Sequence, residues 1–290
     1  MNKLLIIDGH NLLFQMFFGI PARIINQEGK AIHGTFGFIA SLLKIIRMTR
    51  PTHVVALFDG EHESDRRELD AQYKANRPDY ADIPEEESPF SQLPDIFEAL
   101  DYMSIRHAET VELETDDVIA SYALKYEPEM VIVIVSHDSD FFQLINTNVT
   151  VLRYRGGKTV FCGCEYIHEK LGITPDQYAD FKSLTGDTAD NIKGADKIGP
   201  KTAAQLLREF GTLDNILENA GQIQKSAIRE SVIKNSERLK TNQKLITLDN
   251  RAKIPFELEE LAYRYDGATT GKVLAGIGLR QERIRKACEE

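Results

Sequence analysis

Three apolar runs in this chain end on carboxylates: KLLIID at 3–8, VVALFD at 54–59 and VIVIVSHDSD at 131–140. Helical spacing of apolar residues fills the intervals, at 10–18 and 33–48 before the second run and at 92–103 and 114–125 before the third. Strands separated by helices imply a parallel sheet in an α/β fold. Such a sheet lines up the carboxyl ends of its strands along one edge, where these folds bind ligands. Asp8, Asp59, Asp138 and Asp140 are therefore expected at one edge. Two short acid clusters, ELETDD (112–117) and GDTAD (186–190), add Glu114, Asp116, Asp117, Asp187 and Asp190. Nine carboxylates gathered there would repel one another severely unless divalent cations shared the space. The pattern reads as a metal-dependent enzyme.

At 290 residues, 42% hydrophobic and 28% charged, the chain can bury a large core in one or two soluble domains. No apolar run approaches the roughly 20 residues that span a bilayer, so no membrane association is expected. The N-terminal MNKLLIIDGHN has a short apolar stretch ending in an aspartate, unlike a signal peptide. A cytoplasmic location is the resulting expectation. Three cysteines are too few for a disulfide framework, and Cys162-Gly163-Cys164 lacks zinc-pair spacing. The net charge of −10 argues at first against a nucleic-acid partner. Setting the nine clustered acids aside leaves 36 of the 45 Asp and Glu, against 35 Lys and Arg. The remainder is near neutral and its basic residues are bunched, so net charge does not exclude DNA.

VTVLRY (149–154) and KTVFC (158–162), joined by Arg155-Gly156-Gly157, predict an edge hairpin. From about 165 onward the character is wholly helical, with Gly and Pro punctuation, and a boundary is expected near 165–175. The acidic, proline-punctuated stretch 79–89 is expected to be mobile.

Each motif has two readings. In ELETDD, acids in a first helical turn suit the helix dipole, while four acids in six residues beside a sheet edge suit a metal. Asp138 and Asp140 form either a capping turn or a pair aimed at one cation; Asp8 and Asp59, taken singly, are weak signals. In GDTADNIKGADKIGPKTA, Gly194 and Gly199 frame a turn, and Lys201-Thr202 open an amphipathic helix. With Lys193, Lys197 and Lys201 recurring every four residues, this suits a phosphate at a helix N-terminus, or simply a turn between core helices. In DRRELDAQYKANRP, Arg67, Lys74 and Arg77 share a helical face with Arg66 and Tyr73 beside it. That is either a surface for single-stranded nucleic acid or a solvated face. The histidines are scattered without ligand spacing and read as non-catalytic. QKLITL (243–248) faintly resembles a sliding-clamp peptide, with helix core as the simpler reading.

In order, IIDGHN, ALFD, YKANRP, ELETDDVIA, SHDSDFFQL and GDTADNIKG…IGPKTA closely resemble the bacterial and phage 5′-nuclease family, over nearly the whole chain to about residue 270. That family comprises flap endonucleases and the N-terminal nuclease domain of DNA polymerase I. The resemblance implies a PIN-like core at 1–170 with a central, mostly parallel sheet and a helical arch at about 62–95. It implies a helical DNA-binding region at 171–290 with a helix–three-turn–helix element at about 178–210. The chain looks like a stand-alone member without a polymerase domain.

The resemblance further implies that Asp8, Asp59, Glu114 and Asp116 hold one divalent ion and Asp138, Asp140 and Asp190 a second, with Asp116 near both and Asp117 and Asp187 outside them. Magnesium is the expected ion, in two or more copies, with manganese as a substitute. Asp116 and Asp138 are thus expected to be catalytic, as are Lys74 and Arg77 at the base of the arch, which would stabilise transition-state charge. Arg66 and Tyr73 would support the frayed 5′ strand. Lys193, Lys197, Gly199, Lys201 and Thr202 would grip duplex DNA, and backbone carbonyls near Ile192 and Ile198 would bind K⁺ or Na⁺.

The implied activity is 5′-3′ exonuclease and flap endonuclease action on DNA with a 5′ flap, nick or free 5′ end, giving 5′-phosphates. A monomer serving a replicative or repair polymerase is expected. Two positions depart from the family: Gln15 stands where an arginine is usual, and Lys197 where a glycine supplies φ > 0. The rival readings are a non-catalytic DNA-junction binder and a related α/β ribonuclease, the second disfavoured by residues 186–210.

Overall fold

The computed structural model describes residues 2–20, 23–60, 66–76, 84, 88–110, 113–279 and 281–285. Arg77, Glu112, most of the 79–89 stretch and part of the expected arch lie outside the described residues.

The first part of the chain alternates strands and helices: β1 (Lys3–Asp8), α1 (Gly9–Gly19), β2 (Arg23–Asn26), α2 (His33–Thr49), β3 (His53–Asp59), α3 (Arg66–Leu69), α4 (Leu93–Tyr102), β4 (Arg106–Thr110), α5 (Thr115–Tyr126), β5 (Val131–Val135), β6 (Val149–Arg153) and β7 (Val160–Cys162). One six-stranded sheet runs β4-β3-β1-β5-β6-β7. All its pairs are parallel except the β6–β7 hairpin. From β1 the chain moves outward to β3 and β4 on one side, then returns to place β5 on the other. The strand order therefore reverses at β1, and the crevice at that reversal is where open α/β sheets bind ligands. Register sets Ile7 beside Val135 and Asp8 beside Leu57, so the three acid-ended strands finish nearly level.

The apolar runs are continuous because both faces of the sheet are covered. Leu4, Ile6, Val55, Leu57, Ile132 and Ile134 point into one apolar layer with α5. Leu5, Ile7, Val54, Ala56, Val133 and Val135 point into the other, beneath α1, α2 and α4. Each fully buried aliphatic side chain contributes about 1.5–3 kcal/mol.

The remaining elements are α6 (Cys164–Leu171), α7 (Tyr178–Thr185), β8 (Gly186–Asp187), β9 (Ile192–Lys193), α8 (Pro200–Phe210), α9 (Leu213–Glu218), α10 (Ser226–Lys234), α11 (Ser236–Ile246), α12 (Thr270–Gly276) and β10 (Gln281–Arg285). The layer on the α5 face continues into this region through Ile173, Phe181, Leu207 and Val232.

Some local details differ from these expectations or add to them. The region past 165 also contains the two-residue β8–β9 ladder, and β10 pairs antiparallel with β2. Asp140–Leu144 forms a 3-10 turn. The strand β4 was not expected, because its edge position leaves Arg106 and Glu109 exposed and breaks the apolar pattern. Leu245, Ile246 and Leu248 of QKLITL are buried, as helix core requires.

Candidate active site

At the β1–β5 end, one hydroxyl ties two carboxylates together. Ser136 Oγ donates to Asp8 Oδ2 at 2.7 Å and accepts the Asp138 N–H at 2.9 Å. Asp138 Oδ1 in turn accepts the Asp140 N–H at 2.8 Å. Asp8 also caps α1, its Oδ1 accepting the Asn11 N–H at 3.1 Å. Asn11 Oδ1 accepts the His137 N–H at 2.9 Å. The turn reading of SHDSD is thus realised, and it holds the acids at the crevice. Asp140 Oδ1 is buried without a hydrogen-bond partner among the described residues.

At the end of β3, Asp59 Oδ1 accepts the Thr115 N–H at 3.2 Å, at the start of α5. Burial works against its charge, and of the two groups around it, His10 and Thr115, one offsets that cost. Thr115 is the donor among them. The His10 Nδ1 already accepts the Asp59 N–H at 2.9 Å and cannot also donate to Oδ2, 3.6 Å away.

Glu114 occupies the N-cap position with no side-chain cap bond. Its Oε2 instead meets Lys74 Nζ at 2.8 Å and Arg66 Nη1 at 3.0 Å. Arg66 also forks onto Asp117 at 2.7 and 2.9 Å and donates to the Thr247 carbonyl at 3.2 Å. Tyr73 is buried against Ile192, Leu245 and Ile246, with its hydroxyl 3.5 Å from Glu114 Oε2. Arg66 and Tyr73, expected along a DNA strand, therefore face inward here and engage the acid cluster.

The late acids return to the site through the β8–β9 ladder. Asp187 and Asp190 are buried, and Lys182 forms an ion pair with Asp187. The Lys74 N–H donates to the Asp190 carbonyl at 3.0 Å, while Asn191 Nδ2 reaches the Gln72 carbonyl at 2.8 Å and Asn76 Nδ2 the Thr188 carbonyl at 2.9 Å. These bonds anchor the 71–76 turn over the crevice.

Mutual repulsion is visible in the ionisation of the cluster. Burial, with the charges of Asp59 and Asp138, pushes Asp8 up to about 7 despite its hydrogen bonds to Ser136 and Asn11. Burial, with Asp138, Asp190 and Asp187, pushes Asp140 up to about 8. Burial, with Asp138, Asp8 and Asp59, lifts Asp116 well above its ordinary range. Asp138 belongs to all three sets and joins the two halves of the cluster. The donors are all hard oxygens, they crowd one another, and one buried oxygen lacks a partner, so the set fits divalent cations. Among the described residues, no group of three or more such side chains is yet arranged to hold an ion.

Away from the crevice, Lys193, Lys197 and Lys201 are exposed, Thr202 is half-buried, and Ile192 and Ile198 are buried. Lys197 adopts φ 66°, the left-handed conformation that a glycine would supply there. Gly199 is the extended N-cap of α8, with Pro200 beginning the helix. Gln15 Nε2 donates to the Tyr154 carbonyl, which also receives His137 Nε2 at 2.9 Å. Sequence reasoning passed over Ser136, Asn11, His10 and Lys182. The signal for Ser136 and His10 was adjacency, each lying within two residues of a carboxylate.

Residues 3–172 match the family model described as 5′-3′ exonuclease, N-terminal resolvase-like domain, and residues 173–268 match the 5′-3′ exonuclease, C-terminal SAM fold. The DNA polymerase I of Streptococcus pneumoniae strain R6 is 35% identical over 287 residues, covering 97% of this chain and 32% of that protein. The chain thus spans about a third of the length of such relatives. Among solved structures, the T5 D15 protein co-crystallised with metal ions superposes with a TM-score of 0.70 at 23% identity, over 86% of this chain and 90% of that one. The catalytic core of Rad2 in complex with DNA substrate gives a TM-score of 0.55 at 16% identity, over 87% and 81% of the two chains. These two likenesses establish the fold.

Proposed function

The chain belongs to the 5′-3′ exonuclease family, and from that premise we propose that it cleaves DNA at a 5′ flap, a nick or a free 5′ end. The products carry 5′-phosphates, and the reaction uses two or more divalent ions. The observation that carries the reading is the carboxylate cluster at the strand-order reversal, with Asp138 common to its two halves. The metal and DNA bound by the T5 and Rad2 neighbours support it.

Asp8, Asp59, Glu114 and Asp116 would hold one ion and Asp138, Asp140 and Asp190 the second, with Asp116 between them. Magnesium, or manganese in its place, would lower the pKa of the attacking water and offset charge on the leaving oxygen. Asp117 and Asp187, closed onto Arg66 and Lys182, would hold the surrounding frame. Lys74 would release Glu114 and turn its ammonium to the scissile phosphate, with Arg77 beside it. Arg66 and Tyr73 would support the 5′ strand once they open from the cluster. Lys193, Lys197, Lys201 and Thr202 would grip the duplex by its phosphates, Gly199 admitting the backbone close to the strand. Carbonyls near Ile192 and Ile198 would take K⁺ or Na⁺.

Among the described residues no helix is long and apolar enough to cross a membrane. A monomer working in the cytoplasm beside a replicative or repair polymerase completes the proposal. Asp116→Ala combined with Asp138→Ala should abolish cleavage of a 5′-labelled flap in magnesium while leaving flap binding measurable in calcium. Full cleavage by that double variant would overturn the reading.

A further inference from the structure

We propose that Ser136 is a positioning residue that sets the spacing between Asp8 and Asp138, and through it the geometry of the divalent-ion site. The inference deepens the nuclease reading and rests on it. Ser136 is 2% exposed and stands just past β5, beside the end of β1. Its bonding roles are fixed. A backbone N–H can only donate, so the Asp138 amide, 2.9 Å away, takes a lone pair of the hydroxyl. The hydroxyl proton is then directed to Asp8 Oδ2 at 2.7 Å. One side chain thus fixes the orientation of one carboxylate and the backbone position of another, at the ends of two different strands.

Asn11 makes a second link across the same gap, with its N–H on Asp8 Oδ1 and its Oδ1 on the His137 N–H. The two links leave each Asp8 oxygen one acceptor site free, since a carboxylate offers about four in all. Polar groups that orient metal-holding carboxylates act on affinity and rate without touching the ion. Alanine at 136 would remove the donor to Asp8 Oδ2 and the acceptor of the Asp138 N–H, leaving Asp8 held only through Asn11. Threonine would keep the hydroxyl.

The test is Mn²⁺ binding to DNA-free protein, followed by electron paramagnetic resonance, alongside steady-state cleavage of a 5′-labelled flap. Ser136→Ala should weaken Mn²⁺ binding about 10- to 100-fold and lower kcat comparably, with KM for the flap unchanged. Ser136→Thr should restore most of both. If the alanine variant does not fold, Ser136→Cys, of similar size with a weak donor, should show the same losses. Wild-type affinity and kcat in Ser136→Ala would overturn the inference, as would equal impairment of the threonine variant. Absence of Mn²⁺ binding and cleavage in the wild-type protein would overturn the nuclease reading together with this one.

Discussion

Lys74 Nζ lies 2.8 Å from Glu114 Oε2, a salt bridge built inside the carboxylate cluster rather than on the surface. Both side chains are nearly buried, at 12% and 11% exposure, so solvent screens the pair little. Arg66 and Lys182 do the same for Asp117 and Asp187. The cluster therefore carries its own counter-ions, drawn from α3, the turn over the crevice and α7.

Lys74 and a divalent ion should compete for Glu114. A unit charge several Å from a divalent ion opposes its binding by on the order of 1–3 kcal/mol in a partly screened setting. Lys74→Met should therefore tighten Mn²⁺ binding to DNA-free protein about tenfold while slowing flap cleavage. Titration calorimetry reads the first effect. Weaker binding in the variant would show that Lys74 supports the ion site rather than competing for it.

The raised acids make stability depend on pH and on metal. Asp8 at about 7 and Asp140 at about 8 stay protonated in the fold at pH values where the unfolded chain has lost those protons. The native state then binds more protons than the unfolded one, so stability falls as pH rises from about 4 to 8. Melting temperature in chelator should fall between about pH 5.5 and 8.5, and calcium should raise it more at the higher pH. A metal-independent, flat profile would contradict the coupling.

Legibility of the site followed the physics of each residue. Asp8, Asp59 and Asp138 could be read because apolar strands deliver them, and their alternation with helices implied a parallel sheet with those ends on one edge. Asp187 and Asp190 were legible as acids, but their return through β8 and β9 needed the fold. The inward turn of Arg66 and Tyr73 was not legible, since spacing shows which charges share a face and not which acids they will meet. Ser136 offered only its adjacency to Asp138: a hydroxyl carries no charge or periodicity, and its role exists only across the ends of two strands.

Lys197 holds φ 66° without being a glycine, a conformation costing about 1–2 kcal/mol for an ordinary residue. Glycine removes that cost but adds about 0.5–1 kcal/mol of chain entropy. Lys197→Gly should therefore stabilise the protein slightly, by up to about 1 kcal/mol in urea denaturation. If the lysine contacts a phosphate, duplex binding should weaken and the slope of log affinity against log salt should shrink by about 0.9. A stabilised variant with an unchanged salt slope would separate the strain from any DNA contact.

Gly194 and Gly199 frame the same turn for different reasons, and substitution should tell them apart. A Cβ on Gly194 would overlap the Thr185 carbonyl carbon and lie 2.6 Å from the Gly186 nitrogen, both backbone atoms. The close approach belongs to the β8–β9 ladder that pairs Asp187 with Ile192. At Gly199 nothing lies within 4 Å, and φ is −91°. Gly194→Ala should cost about 1–3 kcal/mol or more and displace Asp187 and Asp190, weakening Mn²⁺ binding as well. Gly199→Ala should stay within about 0.5 kcal/mol and leave Mn²⁺ binding unchanged. Equal destabilisation by the two variants in urea would show that the turn, rather than the ladder contact, requires glycine.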